Sequence, residues 1–146
     1  MGMVRELIES RQTTDVVTIG PDATVFDAAK KMNEYRIGAL VVTRDGRHVD
    51  GILTERDVLQ RVVAAGRAPM DARIEEVMTA EVIVCRAETR CDDVRQTMRT
   101  RRIRHMPVVD ADGVLVGIVS IGDLNTAEVK DLSDTVGYLS EYMTRM

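Results

Sequence analysis

Short apolar runs rich in β-branched residues alternate along this chain with longer stretches in which apolar residues recur every three or four positions. Residues 16–19 form such a run, and a Gly-Pro turn follows them, which predicts a strand. From Thr24, a good helix-capping residue, apolar side chains recur at helical spacing as far as Met32. We expect Gly38 to end this helix.

Two further apolar runs follow, with the turn-forming pair Asp45 and Gly46 between them. An Asp-Gly pair between two such runs is typical of a β-hairpin. Residues 39–43 and 49–53 are therefore predicted to be the hairpin strands, and residues 54–65 a helix.

The second half of the chain repeats this order of elements. Its predicted elements are a strand over 82–85, a helix over 90–101, hairpin strands over 106–109 and 115–119 around Asp112 and Gly113, and a last helix that opens at Ser120 or Gly122. Residues 66–78 are predicted to connect the halves. Residues 132–146 place Val136, Leu139 and Met146 on one side of a helix, which could pack on the body or on a partner.

A shift of 66 positions superposes the two halves without a gap from residue 22 to residue 58. Among the residues that match are Asp27 with Asp93, Met32 with Met98, Gly51 with Gly117 and Asp57 with Asp123. Such repetition predicts two copies of one β-α-β-β-α unit, an α/β fold in which the copies pack face to face. The expected boundaries are 8–68 for the first unit, 74–130 for the second and 131–146 for a C-terminal helix.

The segments 51–57 and 117–123 are the most informative for function. Each places a hydroxyl, Thr54 or Ser120, at the end of a predicted strand and a carboxylate, Asp57 or Asp123, three residues later. The hydroxyl and the free N–H groups of a helix N-terminus can meet a phosphate, and the carboxylate can accept hydrogen bonds from ribose hydroxyls. The same spacing is also an ordinary capping box, and its occurrence in both copies favours the functional interpretation.

The duplicated unit resembles a tandem pair of cystathionine β-synthase (CBS) domains, whose signature G-h-x-[ST]-x-x-D stands at 51–57 and 117–123. Residues 37–42 and 103–109 resemble the second strand of that family, and residues 76–79 resemble the start of its second copy. The resemblance covers residues 10–128. It implies two units packed about a pseudo-twofold axis, with two clefts that hold AMP, ADP, ATP, S-adenosylmethionine or a nicotinamide dinucleotide such as NAD.

The resemblance also implies roles for individual residues. Asp57 and Asp123 would hold ribose, and Thr54 and Ser120 would lie beside phosphate. The residues expected to line the adenine slots are Ile37, Ala39, Ile103 and Met106. AMP is the expected ligand, with ATP, ADP, NAD or S-adenosylmethionine as alternatives, and no metal is required.

Positive charge distinguishes the two expected clefts. Arg104 and His105, before Met106 and Pro107, match the position at which members that regulate kinases carry phosphate contacts, and Arg56 joins them. The aligned residues of the first copy are Gly38 and Ala39, which carry no charge. We therefore expect unequal clefts, and we expect Asp123→Ala to weaken nucleotide binding more than Asp57→Ala.

Composition narrows the partners further. The formal net charge of −4, from 20 basic and 24 acidic residues, does not favour nucleic acid. Four arginines within residues 99–105 could form a local nucleic-acid patch, but no aromatic residues interleave, and a solvated helix end is the favoured alternative. No apolar run is long enough to cross a membrane, and the first ten residues lack a secretory apolar region, which predicts a cytoplasmic protein.

The chemistry that catalysis or metal binding needs is not indicated. Cys85 and Cys91 have no metal-binding spacing and are expected to be buried or idle thiols, and no nucleophile-base pair or phosphate-binding loop is apparent. His105 could act as a pH switch, although a packed or phosphate-facing histidine is the more common case. We expect a regulatory nucleotide sensor that forms a homodimer and signals to an unidentified partner protein. The alternative is a structural dimerisation module with non-functional clefts.

Overall fold

The structure is a computed structural model, and it describes residues 2–10 and 16–145. Its elements in chain order are α1 (Val4–Glu9), β1 (Thr18–Ile19), α2 (Val25–Tyr35), β2 (Ala39–Val42), β3 (Gly51–Thr54), α3 (Glu55–Val58), α4 (Ile74–Val77), α5 (Cys91–Arg101), β4 (His105–Val109), β5 (Leu115–Ser120) and α6 (Ile121–Arg145). A π-helical turn, Leu59–Val63, continues α3. The predicted two-unit α/β fold is confirmed.

The first unit is a three-stranded sheet covered by helices. β1 lies parallel to β2, and β2 pairs antiparallel with β3, so that Ala39 faces Thr54 and Val42 faces Gly51. Gly46 adopts a φ of +77° in the hairpin loop, a conformation that glycine reaches without strain. Apolar residues of the sheet, α2, α4 and the π-helical turn form one buried core: Val25, Ala28, Met32, Leu40, Val42, Leu53, Val62, Ala72, Ile74 and Val77.

The second unit repeats the hairpin but not the first strand. β4 and β5 pair antiparallel, as predicted. The strand predicted over 82–85 is wrong, because only Cys85 pairs with β4: its N–H donates to Pro107 O, and its carbonyl accepts from Val109 N. Val82 and Ile83 instead line a cleft between the units, which takes them out of reach of the sheet.

The start of α2 is as the sequence predicts, but its end is not. Thr24 and Asp27 form a reciprocal capping box at the start of α2, as the sequence indicates. The helix ends at Arg36, in the left-handed region at φ 54°, and not at Gly38. Gly38 meets a different requirement, since a Cβ there would lie 3.1 Å from the carboxylate of Glu55.

A short helix packs on each unit. α1 precedes the first unit in the chain but packs on the second, where Val4 and Leu7 join the core with Val94 and Met98. α4 lies in the segment that was predicted only to connect the units, and it packs on the first unit. Matching backbone contacts fix both helices: Met3 pairs with Arg90, and Arg73 pairs with Thr24. The second unit is therefore completed by a helix that precedes the first unit in the chain, and the first unit by a helix that follows it directly.

The C-terminal residues extend the last helix of the second unit. Residues 131–145 continue α6 from Ile121 without a break, and Met146 lies outside the described residues. Leu124 is buried in the second core, whereas every residue from Glu128 to Arg145 is exposed. None of the described helices is long and apolar enough to cross a membrane.

Candidate functional site

Thr54 and Asp57 form a closed hydrogen-bonded pair where β3 passes into α3. The extended backbone of Thr54 places its hydroxyl at the helix start, where it accepts from Asp57 N at 3.2 Å. Thr54 N and Oγ1 both donate to Asp57 Oδ2, at 2.9 and 3.1 Å. The capping box expected as the structural alternative is therefore present, and it fixes the orientation of a mostly buried carboxylate.

The other oxygen of Asp57 is turned toward an arginine. Arg61, one helical turn on, places Nε 3.8 Å from Asp57 Oδ1 and donates from Nη1 to the carbonyls of Val77 and Met78. This arginine thereby joins the carboxylate to the end of α4. Its Nε lies beyond hydrogen-bond distance, so Oδ1 keeps acceptor capacity that Oδ2 has already used.

Ser120 and Asp123 repeat the same geometry at the start of α6. Ser120 N donates to Asp123 Oδ2 at 2.8 Å, and Asp123 N donates to Ser120 Oγ at 3.1 Å. The two signature segments thus fold alike. Any difference in function between them must come from the residues that surround each segment.

A cleft lies between the two units beside Asp57. The first unit contributes Gly38, Ile52, Thr54, Glu55, Arg56 and Asp57, and the second contributes Thr79, Glu81, Val82, Ile83, Arg102, Ile103, Arg104 and His105. One wall is apolar, from Val82, Ile83 and Ile103. The opposite end carries charge of both signs. The combination suits a ligand with a flat apolar ring and a polar, anionic end.

Several residues that were expected in the clefts lie elsewhere. Met106 is 2% exposed and belongs to the second core, and Ala39 and Pro107 are buried in their strands. Ile37 packs against the first core. Gly38 and Arg104, which precede β2 and β4, line the cleft together with His105, whereas the residues that follow in each strand are buried within their unit.

The pairing of charge with carboxylate differs from the expectation. Arg104 and His105 line the cleft that contains Asp57, because the two units face each other and the second strand of one meets the signature of the other. Asp123 instead lines a separate concavity against α1, together with Glu6, Lys130 and Asp131. No arginine lines that concavity among the described residues. The prediction that Asp123 belongs to the arginine-rich cleft is therefore wrong.

Electrostatics distinguish the basic residues of the cleft. Burial lowers the pKa of His105, and Arg104 acts in the same direction, while Glu55 and Asp123 oppose the shift. Burial therefore favours the uncharged imidazole, and the permanent positive charge in the cleft comes from Arg56, Arg102 and Arg104. Arg56 Nη1 donates to the carbonyl of Arg102 at 3.3 Å, which links the units across the cleft.

The cysteines and the acidic groups give no sign of a metal centre. Burial raises the pKa of Cys85 to about 11 and also raises the pKa of Cys91, so both thiols are protonated and unreactive. The described residues contain no group of three or more His, Cys, Asp or Glu side chains that could hold a metal ion.

Sequence reasoning missed some residues of the cleft. Glu55, Glu81 and Thr79 line it, and Arg102 contributes charge. Glu55 follows Thr54 directly, so its place at the helix start was a usable signal. Glu81 and Thr79 lie between predicted elements, and only the packing of the second unit's first segment across β3 brings them to the cleft.

A known protein family matches each of the two repeated units. The sequence model of the family described as "CBS domain" matches twice, over residues 4–64 and 74–130. The chain is 37% identical over 126 residues to the mitochondrial CBS domain-containing protein CBSX3 of Arabidopsis thaliana, covering 84% of this chain but only 61% of that protein. It is 34% identical to the CBS domain-containing protein YhcV of Bacillus subtilis, covering 86% of this chain and 88% of that protein.

Solved structures resemble the fold equally well. A putative signal-transduction protein with CBS domains from Burkholderia ambifaria superposes with a TM-score of 0.84 at 37% identity, covering 88% of this chain and 95% of that one. The CBS domain pair of protein MJ0100 superposes with a TM-score of 0.78 at 25% identity, covering 88% and 97%. That structure is a complex with 5-methylthioadenosine and S-adenosyl-L-methionine.

Proposed function

Because this chain belongs to the CBS domain family and carries two CBS domains in tandem, we propose that it is a regulatory module that binds an adenine nucleotide between its units. The observation that carries the proposal is the cleft itself. It places the carboxylate of Asp57 from one unit opposite Arg104 from the other, with an apolar wall beside them. The MJ0100 complex, in which a related pair binds two adenosine-containing molecules, supports this choice of ligand class.

Each part of the ligand has a matching surface in the cleft. The adenine ring would lie against Ile83 and Ile103, since a flat apolar face suits an aromatic heterocycle. A ribose hydroxyl would donate to Asp57 Oδ1, the oxygen that the capping box leaves available. The phosphate would lie near Arg104 and Arg56 because guanidinium groups pair with phosphate through two parallel hydrogen bonds.

Binding between the units gives a route to regulation. A nucleotide that touches both units would stabilise the folded pair by mass action and favour one relative arrangement of the units. The signal would then pass to a partner protein that recognises that arrangement. The module would thus report the level of its nucleotide, an energy or redox signal, and we assign it no catalytic role.

A second surface supports self-association. On α6, the exposed residues Val129, Leu132, Val136, Leu139 and Met143 recur at alternating spacings of three and four, the heptad pattern of a coiled-coil seam. Four of the positions that flank this seam, Ser133, Thr135, Ser140 and Tyr142, carry no charge, whereas Glu128 beside Val129 is acidic. Along residues 132–143 a second copy can therefore approach without like-charge repulsion from the flanking positions. We propose that two chains pair through this seam, which the matched CBS regions do not include beyond residue 130.

The proposed nucleotide site is tested by calorimetric titration of AMP, ATP, NAD and S-adenosylmethionine into three proteins. Asp57→Ala should weaken binding by about tenfold or more, since it removes an acceptor for the ribose. Asp123→Ala is the matched control, because it removes the corresponding backbone capping contacts from the other unit. Equal losses in the two variants, or no heat from any of the four ligands at millimolar concentration, would contradict the proposal.

A further inference from the structure

A second concave surface, the arginine basin, continues from the cleft. It is an open hollow lined by Arg56, Arg95, Arg99, Arg102 and Arg104 together with Met98, Ile103 and Ile121. Arg56, Arg102, Ile103 and Arg104 line both the basin and the cleft, so the two surfaces are continuous. A ligand in the cleft therefore has direct access to the basin.

The basin and the cleft differ in charge. Three carboxylates, those of Glu55, Asp57 and Glu81, line the cleft, whereas no acidic residue lines the basin among the described residues. This concentration of cations lies in a chain whose formal net charge is −4. Repulsion among guanidinium groups is unfavourable unless an anion offsets it, so the basin is suited to a multiply charged anion.

Most of these arginines keep their donors available. Arg99, Arg102 and Arg104 form no ion pair with any carboxylate among the described residues. Arg95 is held by Asn125 Oδ1 at 3.0 Å and by Glu128 Oε2 at 3.0 Å, yet its Nε is buried without a hydrogen-bond acceptor among those residues. The exposed arginines Arg99, Arg102 and Arg104 are therefore the groups that an anion in the basin can contact.

The spacing of the arginines along α5 indicates which kind of anion would fit the basin. Arg95, Arg99 and Arg102 are spaced by four and three residues, so they share one face of the helix and its end. That row leads away from the ribose carboxylate of Asp57. An anion long enough to follow it needs several phosphates in sequence.

We propose that the arginine basin holds the terminal phosphates of a nucleoside triphosphate whose nucleoside occupies the cleft. This rests on the proposed function and refines it, since it favours ATP over AMP as the ligand. A monophosphate would reach Arg104 and Arg56 at the shared border but would not extend to Arg99. Neither the 5-methylthioadenosine nor the S-adenosylmethionine of the MJ0100 complex carries a phosphate, so that complex does not address this surface.

The chain offers a matched pair of substitutions. Arg99 and Arg101 both lie in the last turn of α5, where either side chain complements the helix dipole. Only Arg99 lines the basin, because Arg101 faces a separate hollow beside Thr97 and Thr100. Arg99→Gln and Arg101→Gln therefore remove the same charge from the same helix end.

The experiment is calorimetric titration of AMP and ATP into the full chain and both variants, in metal-free buffer. ATP should bind the unmodified protein about tenfold or more tightly than AMP. Arg99→Gln should weaken ATP by about tenfold and AMP by less than about twofold, while Arg101→Gln should leave both affinities within about twofold. Raising the salt concentration should weaken ATP more steeply than AMP.

Two results would contradict the proposal that the basin binds the terminal phosphates. One is equal affinities for AMP and ATP, and the other is equal effects of the two variants on ATP affinity. Inorganic tripolyphosphate separates this proposal from the nucleotide site, because binding that Arg99→Gln abolishes would support the basin even if no adenine nucleotide bound. Conversely, AMP binding that depends on Asp57, together with an ATP affinity that Arg99→Gln leaves unchanged, would support the cleft and contradict the basin. A single-stranded oligonucleotide that binds through Arg99 and displaces no ATP would show that the basin serves nucleic acid and contradict the proposal.

Discussion

Asp57 serves folding and, in our proposal, binding through different oxygens of one carboxylate. Oδ2 accepts from the N–H and hydroxyl of Thr54, which closes the start of α3, and Oδ1 is left for a ligand. A capping box and a ligand site are therefore compatible at the same residue. The sequence spacing alone could not separate them, because both uses require the same two side chains three positions apart.

His105 is the residue whose environment predicts a pH effect. Burial lowers its folded-state pKa below the usual 6.5, so the unfolded chain takes up the proton first as the pH falls. Stability from this group is present above the unfolded pKa and is lost below it. The free energy of unfolding should therefore fall between about pH 7.5 and about pH 5.5, and His105→Gln should reduce that fall. Urea unfolding at the two pH values measures it, and an unchanged fall in the variant would contradict this account.

Single residues could be placed by sequence only where they recur in both copies. Thr54, Asp57, Ser120 and Asp123 were found in this way, and their local geometry is as predicted. The partner of each carboxylate was not found. Which strand faces which signature depends on how the units pack, and the wrong pairing of Asp123 with Arg104 follows from that missing information.

The short helices α1 and α4 each pack against the hairpin of one unit. Gly51 allows Met78 to approach β3 closely, and Gly117 allows Ile8 to approach β5 in the same way, with a Cβ at Gly117 falling 3.1 Å from Ile8 Cδ1. The first glycine of each signature is thus explained by packing rather than by binding. The hydrophobic pattern predicted the longer helices and both hairpins, but α1 and α4 are too short for a periodic signal.

The packing of α1 on the second core predicts that this helix stabilises the second unit. Leu7 is 8% exposed and lies in the core of that unit, so Leu7→Ala should lower the free energy of unfolding by about 2–3 kcal/mol through the lost contacts and the cavity. Met3→Ala in the same segment, at a side chain that is 43% exposed, should change it by less than about 0.5 kcal/mol. Urea unfolding compares the two. Similar small losses would show that α1 is not part of the second core.

At the scale of the whole molecule, the two units are alike in backbone and unlike in charge. The cleft beside Asp57 continues into five arginines, whereas the concavity beside Asp123 is lined by Glu6, Lys130 and Asp131. Both units carry the signature, but the residues that precede their second strands, Gly38 and Arg104, differ in charge. The sequence predicts unequal clefts, because Gly38 and Arg104 occupy aligned positions. It does not predict which carboxylate, Asp57 or Asp123, lies beside the arginines.

The seam on α6 predicts the oligomeric state. Leu139→Asp places a carboxylate in the middle of the apolar seam and should convert a dimer, at about twice the 16.3 kDa of one chain, into a monomer. Thr144→Asp adds the same charge to the same helix outside the seam and should leave the dimer intact. Light scattering after size exclusion gives both masses. A monomeric unmodified protein, or a dimer that Leu139→Asp leaves unchanged, would contradict the proposed pairing.

The central claim is that a nucleotide binds between the units beside Asp57, and a crystal structure of the complex with ATP tests it most directly. We expect the ribose within hydrogen-bond distance of Asp57 Oδ1, the adenine against Ile83 and Ile103, and the outer phosphates among Arg99, Arg102 and Arg104. A nucleotide found beside Asp123 and α1 instead, with the cleft at Asp57 occupied only by solvent, would contradict the account.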